Sequence, residues 1–410
     1  MKEYVIAGYG AAAVGCIEGI RSVDREGGIT VLSGERCPTY GRPLISYLLQ
    51  GRTDERRMLY RAPDFAERNG VRVLYGVKAE RLDPAAKTVA LSDGTALPYD
   101  ALCCATGSSP FVPPMEGLEK VPRRFSFMTL EDAQALRAAV TPESRVLIIG
   151  AGLIGLKCAE GLHDLVKSIT VADLADRVLS SILDAEGAAV AQRALEKAGL
   201  TLLLGDSVAR FEDGAAHMKS GRTVAFDVLV TAVGVRPNTA LVKDAGGAVG
   251  RGVTVDPRMA TSLADVYAAG DCTESVDISD GRTKIMALMP NAYMQGFTAG
   301  VNMAGGDKAF DHAIPMNSIG FFGCHIMTAG SRGTELCHIV EGDRVKELFT
   351  DGTHLIGFQL LGDVKNAGIY TSLIRKRTDI TALDPENMKR TPDLSLFTAG
   401  QRHQMLGGAV

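Results

Sequence analysis

Two short glycine runs carry the clearest chemistry in this sequence: Gly8-Tyr9-Gly10-Ala11-Ala12-Ala13 and Gly150-Ala151-Gly152-Leu153-Ile154-Gly155. In such a run the first glycine allows a tight turn, and the second lets the backbone approach a pyrophosphate. A small third residue, Ala13 or Gly155, lets the following helix pack closely on its strand. The amino end of that helix supplies free N–H groups and a partial positive charge for phosphate oxygens. An acid follows each run, Glu35 after the first and Asp173 after the second. A carboxylate at that distance accepts bonds from ribose hydroxyls. Asp173 also repels a 2′-phosphate, a preference that nearby Arg177 softens.

These residues work only if strands and helices hold them, and the sequence supplies both. Tyr4-Val5-Ile6-Ala7 reads as an apolar strand before the first run, followed by a helix through Ile20 and a second strand, Ile29-Thr30-Val31-Leu32. Arg145-Val146-Leu147-Ile148-Ile149, a helix through Leu162 and Ser168-Ile169-Thr170-Val171-Ala172 repeat the pattern around the second run. A distal element repeats as well: YDALCCATGSSP at 99–110 and FDVLVTAVGVRP at 226–237. Two units sharing a start motif and an end motif in the same order form an internal duplication. A third strand and turn occupies 264–271, and a helix rich in small residues runs from Asn291 to Met303. From about Phe310 the texture changes to short alternating strands, as in 354–361, then an amphipathic stretch near 367–377.

Composition bounds the function. The 410 residues suffice for two or three domains, with 46% hydrophobic and 22% charged residues, ordinary for a globular chain. A formal net charge of −4 argues against nucleic acid as a partner. No secretory signal pattern precedes the first strand and no apolar run reaches a membrane-spanning length, so the expectation is a cytoplasmic protein with no membrane segment. The eight cysteines are expected to be thiols, and neither their spacing nor that of the histidines suggests a metal site. Glycine, at 46 residues, exceeds the usual share of roughly 7%, and phosphate-binding turns are one use for it.

With both runs, Ala105-Thr106-Gly107, Ala232-Val233-Gly234 and Ala269-Gly270-Asp271, the chain resembles the FAD-dependent pyridine nucleotide-disulfide oxidoreductase superfamily. The resemblance is to members without the redox disulfide: NADH:rubredoxin reductases, NADH oxidases and the flavin half of nitrite reductases. It is strong over residues 1–305 and weak beyond. It implies an α/β fold with two Rossmann-like dinucleotide-binding domains and a C-terminal α+β domain. The expected boundaries are 1–111 with 240–306 for FAD, 112–239 for NAD and 307–410 for an interface domain. It further implies that Gly8, Gly10, Ala13 and Glu35 hold the adenosine and pyrophosphate of FAD. Arg42 and Pro43 would lie toward its flavin end, Val77 against the adenine, Thr106 and Gly107 over the cofactor, and Asp271 on the ribityl or pyrophosphate region. Gly150, Gly152, Gly155 and Asp173 would hold NADH, favoured over NADPH, with Gly234 at the nicotinamide end.

Departures from the resemblance narrow the chemistry. Relatives that relay electrons through sulfur carry cysteines in the first helix, in the second unit or in the segment matching 43–47. This chain has Pro43-Leu44-Ile45-Ser46-Tyr47 there. Electrons are therefore expected to leave the flavin directly. Cys37 is the nearest thiol in sequence, and the other cysteines read as packing residues. Lys157, where several relatives carry Glu, is the one candidate side chain for tuning charge at the reacting rings, although pairing with Glu160 at i+3 is an alternative. Arg375-Lys376-Arg377 could dock an acidic carrier or simply end a helix. Phe321-Phe322 could cap the flavin, meet a second subunit or pack a core.

The expected activity is hydride transfer from NADH to FAD, then electrons to a ferredoxin- or rubredoxin-type carrier, or the reverse. A homodimer, or a place as a subunit of an electron-transfer complex, is expected. NADH oxidation by oxygen and a non-catalytic flavin- or NAD-binding subunit are the alternatives.

Overall fold

A computed structural model describes residues 1–390, 392–397, 400 and 402. The chain separates into two compact units: Met1–Leu174 with Thr201–Val276 and Thr283–Ala313, and Ala175–Leu200 with Asp277–Arg282 and the chain from Ile314 on.

The first unit contains two five-stranded parallel sheets built to one plan. In one, the order is Val266–Ala268, Ala101–Cys104, Glu3–Ala7, Gly28–Ser33, Val71–Tyr75. In the other it is Thr201–Leu204, Ser168–Asp173, Arg145–Ile149, Val228–Thr231, Arg124–Phe125. Central strands of parallel sheets are covered on both faces and read as continuous apolar runs. Ala101–Cys104 and Val228–Thr231 are buried at every position. The duplication seen in sequence holds in detail. Asp100 and Asp227 each accept the backbone N–H that opens their unit's first strand, from Glu3 and Arg145, both at 2.8 Å. Each also donates its own N–H back to that residue's carbonyl.

Sequence reading missed one repeated part. A three-stranded antiparallel meander precedes each distal motif, Ala79–Asp83, Thr88–Leu91, Ala96–Pro98 in one copy and Val208–Glu212, Ala215–Met218, Thr223–Ala225 in the other. These strands are only three to five residues long, too short for clear alternation.

Four of the glycines serve helix packing rather than ligand turns. The helix Ala11–Val23 lies against Met289–Met303. A Cβ on Gly15 or Gly19 would stand 2.2 Å from the carbonyl oxygens of Tyr293 and Phe297, and one on Gly296 or Gly300 within 2.1 Å of those of Ala12 and Cys16. The two backbones meet with no room for side chains.

The second unit is an antiparallel sheet ordered Met316–Phe321, Cys324–Gly330, Leu355–Leu361, Arg344–Thr350, Thr334–Glu341. Leu348, Phe358 and Leu360 pack with Tyr370 and Leu373 of the helix Ala367–Arg375, in line with the expected α+β texture. The helix Ala185–Lys197 belongs to this unit by its contacts. Across the sheet, Asn317, Thr328, Gln359, Glu347 and His338 stand opposite one another strand by strand. Gln359 bridges Glu347 (2.8 Å) and Asp184 (3.0 Å), the residue that caps the helix Ala185–Lys197. Burial pushes the Glu347 carboxyl up to about 7, with Asp184 beside it. Burial opposes ionisation of Asp184 too, but hydrogen bonds from Glu347, Gln359 and Gly187 N–H hold it down at about 2. Phe321 is 1% exposed and packs in a core. The Nε and Nη2 atoms of Arg375 are buried and Arg377 donates to the Ile278 carbonyl at 3.0 Å, so Arg375 is not part of an exposed basic docking face.

Candidate dinucleotide sites

Both glycine runs form the predicted strand–turn–helix. Gly8 N–H bonds Leu32 O and Gly150 N–H bonds Ala172 O, each at 2.8 Å, fixing the turn to the neighbouring strand end. Gly8 and Gly150 have φ of 112° and 115°, which disfavours a side chain. A Cβ on either would meet the Ala105 or Ala232 carbonyl oxygen at 2.1 or 2.3 Å. A Cβ on Gly155 would stand 1.9 Å from Gly150 O, and Ala13 is fully buried. These positions are small because of the chain's own packing.

Gly10 and Gly152 differ. Each precedes a helix with ordinary extended backbone, φ −97° and −84°. A Cβ at either position would meet nothing within 4 Å. Among the described residues nothing requires glycine there. A bare backbone beside the free N–H groups of a helix start leaves room for a group from outside the chain, as a dinucleotide pyrophosphate needs. The residues present thus fit FAD and NADH, one per turn.

The acids complete each turn differently. Asp173 Oδ2 accepts the Ala151 N–H at 2.6 Å, which pins the carboxylate at the strand end beside the second turn. Glu35 pairs with Arg42 through one oxygen and accepts from Tyr40 Oη at 2.7 Å through the other. Arg42 also donates to Met128 O at 3.1 Å. Arg42 opens a short 3-10 turn, Arg42–Leu44, that carries exposed Pro43 into the helix Ile45–Leu49. Half-buried Val77 follows the outer strand Val71–Tyr75, its N–H on Ser33 O at 3.0 Å.

The two distal motifs meet. Ser108–Pro110 pairs antiparallel with Val235–Pro237, next to Gly107 and Gly234. Asn238 locks this junction. Its amide donates to Thr106 O at 2.8 Å, its carbonyl accepts from Thr106 Oγ1 at 2.8 Å, and its N–H donates to Gly107 O at 2.9 Å. Sequence reading missed Asn238, and the only signal was its position just after the second copy's proline. Asp271 accepts from Ser108 Oγ at 3.3 Å. Burial raises the Asp271 carboxyl above its usual range, opposed by Ser108 and Arg42.

A second junction brings Lys157 to the segment 42–49. The helix Leu153–Leu162 packs on Ile45–Leu49, with Gly161 where a Cβ would stand 3.1 Å from Ser46 O. Lys157, 16% exposed, pairs with Glu160 and sets its ammonium 4.5 Å from the Tyr47 ring centre. The i+3 pairing is therefore realised, and it holds the charge at the meeting of the two glycine-turn units.

Burial and the Glu35 carboxylate raise the Cys37 thiol, the opposite of an activated thiolate. Cys16, Cys103, Cys104, Cys158 and Cys272 are fully buried. Among the described residues no helix is long and apolar enough to cross a membrane. Glu186, His338 and Glu347 bring potential ligand atoms within 4.8 Å of one another in the second unit, a grouping their spacing in sequence did not reveal.

Comparison with known proteins agrees with this geometry. The family model described as pyridine nucleotide-disulphide oxidoreductase matches residues 2–296. The chain is 32% identical to the NADH-dependent phenylglyoxylate dehydrogenase subunit epsilon of Aromatoleum evansii, over 93% of each. It is 32% identical to the nitrite reductase [NAD(P)H] of Bacillus subtilis (strain 168), covering 93% of this chain and 48% of that protein. The fold is similar to that of one chain in the crystal structure of the covalent putidaredoxin reductase–putidaredoxin complex, with a TM-score of 0.87 at 23% identity over 100% of this chain and 99% of that one. With two dinucleotide turns, the distal repeat and these matches in agreement, the chain belongs to the pyridine nucleotide-disulphide oxidoreductase family and is an oxidoreductase of FAD and NADH.

Proposed function

We propose that FAD occupies the first turn and NADH the second, and that reducing equivalents pass from NADH through FAD to a small iron–sulfur or rubredoxin-type protein, or in reverse. The observation that carries this reading is the pair Gly10 and Gly152, each kept free of a side chain that the fold itself would admit. Bound together, the two cofactors supply the hydride chemistry themselves, so the protein's part is distance, angle and charge.

Each residue then has a task. Gly8, Gly10 and Ala13 shape the first pyrophosphate cradle. Glu35 exchanges part of its pairing with Arg42 for ribose hydroxyls, which releases Arg42 and adjoining Pro43 toward the flavin end. Val77 borders the adenine. Thr106, Gly107 and Asp271 line the far end of the same cofactor. Gly150, Gly152 and Gly155 shape the second cradle, Asp173 takes its ribose, and Gly234 borders the nicotinamide end. Lys157 keeps a positive charge at the junction, fixed by Glu160 and Tyr47. The domains of this reading are 1–111 with 240–306 for FAD, 112–239 for NAD, whose helix Ala185–Lys197 packs with the last part of the chain, and 307–410 as an interface domain. The protein works in the cytoplasm, as a homodimer or as one subunit of a larger electron-transfer complex. The match to a dehydrogenase subunit supports the latter.

Reoxidation tests the reading. FAD-loaded protein is reduced by NADH without oxygen, then mixed with oxidised ferredoxin, oxidised rubredoxin or oxygen. Faster return of flavin absorbance with a carrier than with oxygen supports it. Reoxidation by oxygen at the steady turnover rate replaces it with NADH oxidase activity, and no turnover with any acceptor leaves a binding subunit.

A further inference from the structure

FAD and NADH share an adenosine diphosphate half. Two sites built on the same turn therefore need another difference if one ligand is to stay and the other is to exchange. The internal repeat allows a comparison position by position. Between the two glycines stands Tyr9 in the first turn and Ala151 in the second. On the outer strand, Tyr75 pairs with Ser33 in the first unit, where Leu204 pairs with Asp173 in the second.

The two tyrosines meet, with ring centres 6.3 Å apart and planes tilted by 57°. Tyr9 is half-buried and packed on the core, whereas Tyr75 is 41% exposed. Ser33 Oγ donates to Glu35 O at 2.8 Å, and Gly76 N–H donates to Glu35 O at 3.3 Å. These bonds set Glu35 and Tyr75 at adjacent strand ends. A ribose held by Glu35 carries its base to this corner. At the equivalent strand position of the second unit the side chain is aliphatic, half-buried Leu204.

We propose that Tyr9 and Tyr75 form an aromatic platform for the adenine of FAD, and that this platform makes the first site retentive while the second releases its dinucleotide. The proposal rests on the assignment of FAD to the first turn. A base stacked on an aromatic ring gains attraction that an aliphatic side chain does not supply. Tyr9, packed on the core, meets the Tyr75 ring and so restrains it.

Equilibrium binding to flavin-free protein tests this with FAD, FMN, which lacks the adenosine, and ADP. The parent binds FAD at least a hundredfold more tightly than FMN, and ADP competes with FAD. Tyr75→Leu keeps bulk without the aromatic ring and raises the FAD Kd at least tenfold, while Tyr75→Phe stays near the parent. In Tyr75→Leu the FMN Kd and the NADH Kd of the FAD-saturated protein are unchanged. Equal affinity of the parent for FAD and FMN overturns the platform without using a variant. So does an FAD Kd within twofold of the parent in Tyr75→Leu, or equal weakening of FAD and FMN. A parent that takes up no flavin overturns the assignment of the first turn, and the platform with it.

Discussion

Replacing Gly152 with alanine adds one methyl group where the protein has open space. The backbone there, φ −84° and ψ −174°, suits any residue, and the new Cβ would meet nothing within 4 Å. Folding should not suffer, and the loss of unfolded-chain freedom even favours the native state by about 0.4–1 kcal/mol. Bound NADH would suffer, because the methyl group keeps its pyrophosphate from the N–H groups of the helix start. A hydrogen bond to a charged group contributes roughly 1.5–3 kcal/mol, so losing one raises the NADH Kd about 10- to 150-fold. FAD affinity should not change. Gly10→Ala should do the reverse, weakening FAD and sparing the fold. Gly155→Ala is the contrast, since its Cβ would lie 1.9 Å from Gly150 O and the backbone would have to move by roughly an ångström. That variant should melt well below the parent before any ligand is added. Calorimetric titration with thermal melts of the unloaded proteins separates the three. The reasoning is refuted if Gly152→Ala binds NADH like the parent, or if it melts as low as Gly155→Ala.

Other perturbations give equally definite outcomes. The Glu347 carboxyl, raised from its ordinary range near 4.5 to about 7, contributes stability that is complete below 4.5 and lost as pH rises through 7. At about 1.4 kcal/mol per pH unit this amounts to roughly 3.5 kcal/mol at most, so Glu347→Gln should flatten the fall in melting temperature between pH 5 and 8 and melt above the parent at pH 8. His338 is raised by Glu335, Glu186 and Glu347 against the effect of burial. It carries the same sign, so a residual slope in that variant should vanish when His338→Gln is added. Lys157→Met removes one partner of the largely buried Glu160 and should lower the melting temperature, part of the loss being recovered in Lys157→Met/Glu160→Gln. That double variant should still bleach its flavin with NADH at least tenfold more slowly than the parent in stopped flow, and an unchanged rate removes Lys157 from the site. Cys37→Ser should leave carrier reduction unchanged in steady-state assays, and loss of turnover would reveal a sulfur relay.

The parallel sheets were legible because their strands are buried on both faces. Val146 to Ile149 and Val228 to Val230 are therefore unbroken apolar runs next to glycine punctuation. The meanders were not, since strands as short as Ala96–Pro98 carry no period. Gly10 and Gly152 were recognisable from spacing alone, because a dinucleotide-binding turn of the proposed kind places its glycines at fixed offsets. Asn238 was not, because its partners Thr106 and Gly107 lie more than a hundred residues away. The register that lines up Asn317, Thr328, Gln359, Glu347 and His338 depends on five strands pairing, which no local pattern encodes. The glycines of the helix pair Ala11–Val23 and Met289–Met303 were visible as a surplus, but their use depends on a contact between segments distant in sequence.

Central to the account is that one chain holds two dinucleotides at once, on separate turns, close enough to react. Anaerobic titration of the FAD-loaded protein with NADH measures this directly, with flavin absorbance and free FAD followed together. Complete bleaching at one NADH per chain, with no FAD released, is the predicted result. Displacement of FAD by NADH, or binding of NADH without bleaching, would contradict it.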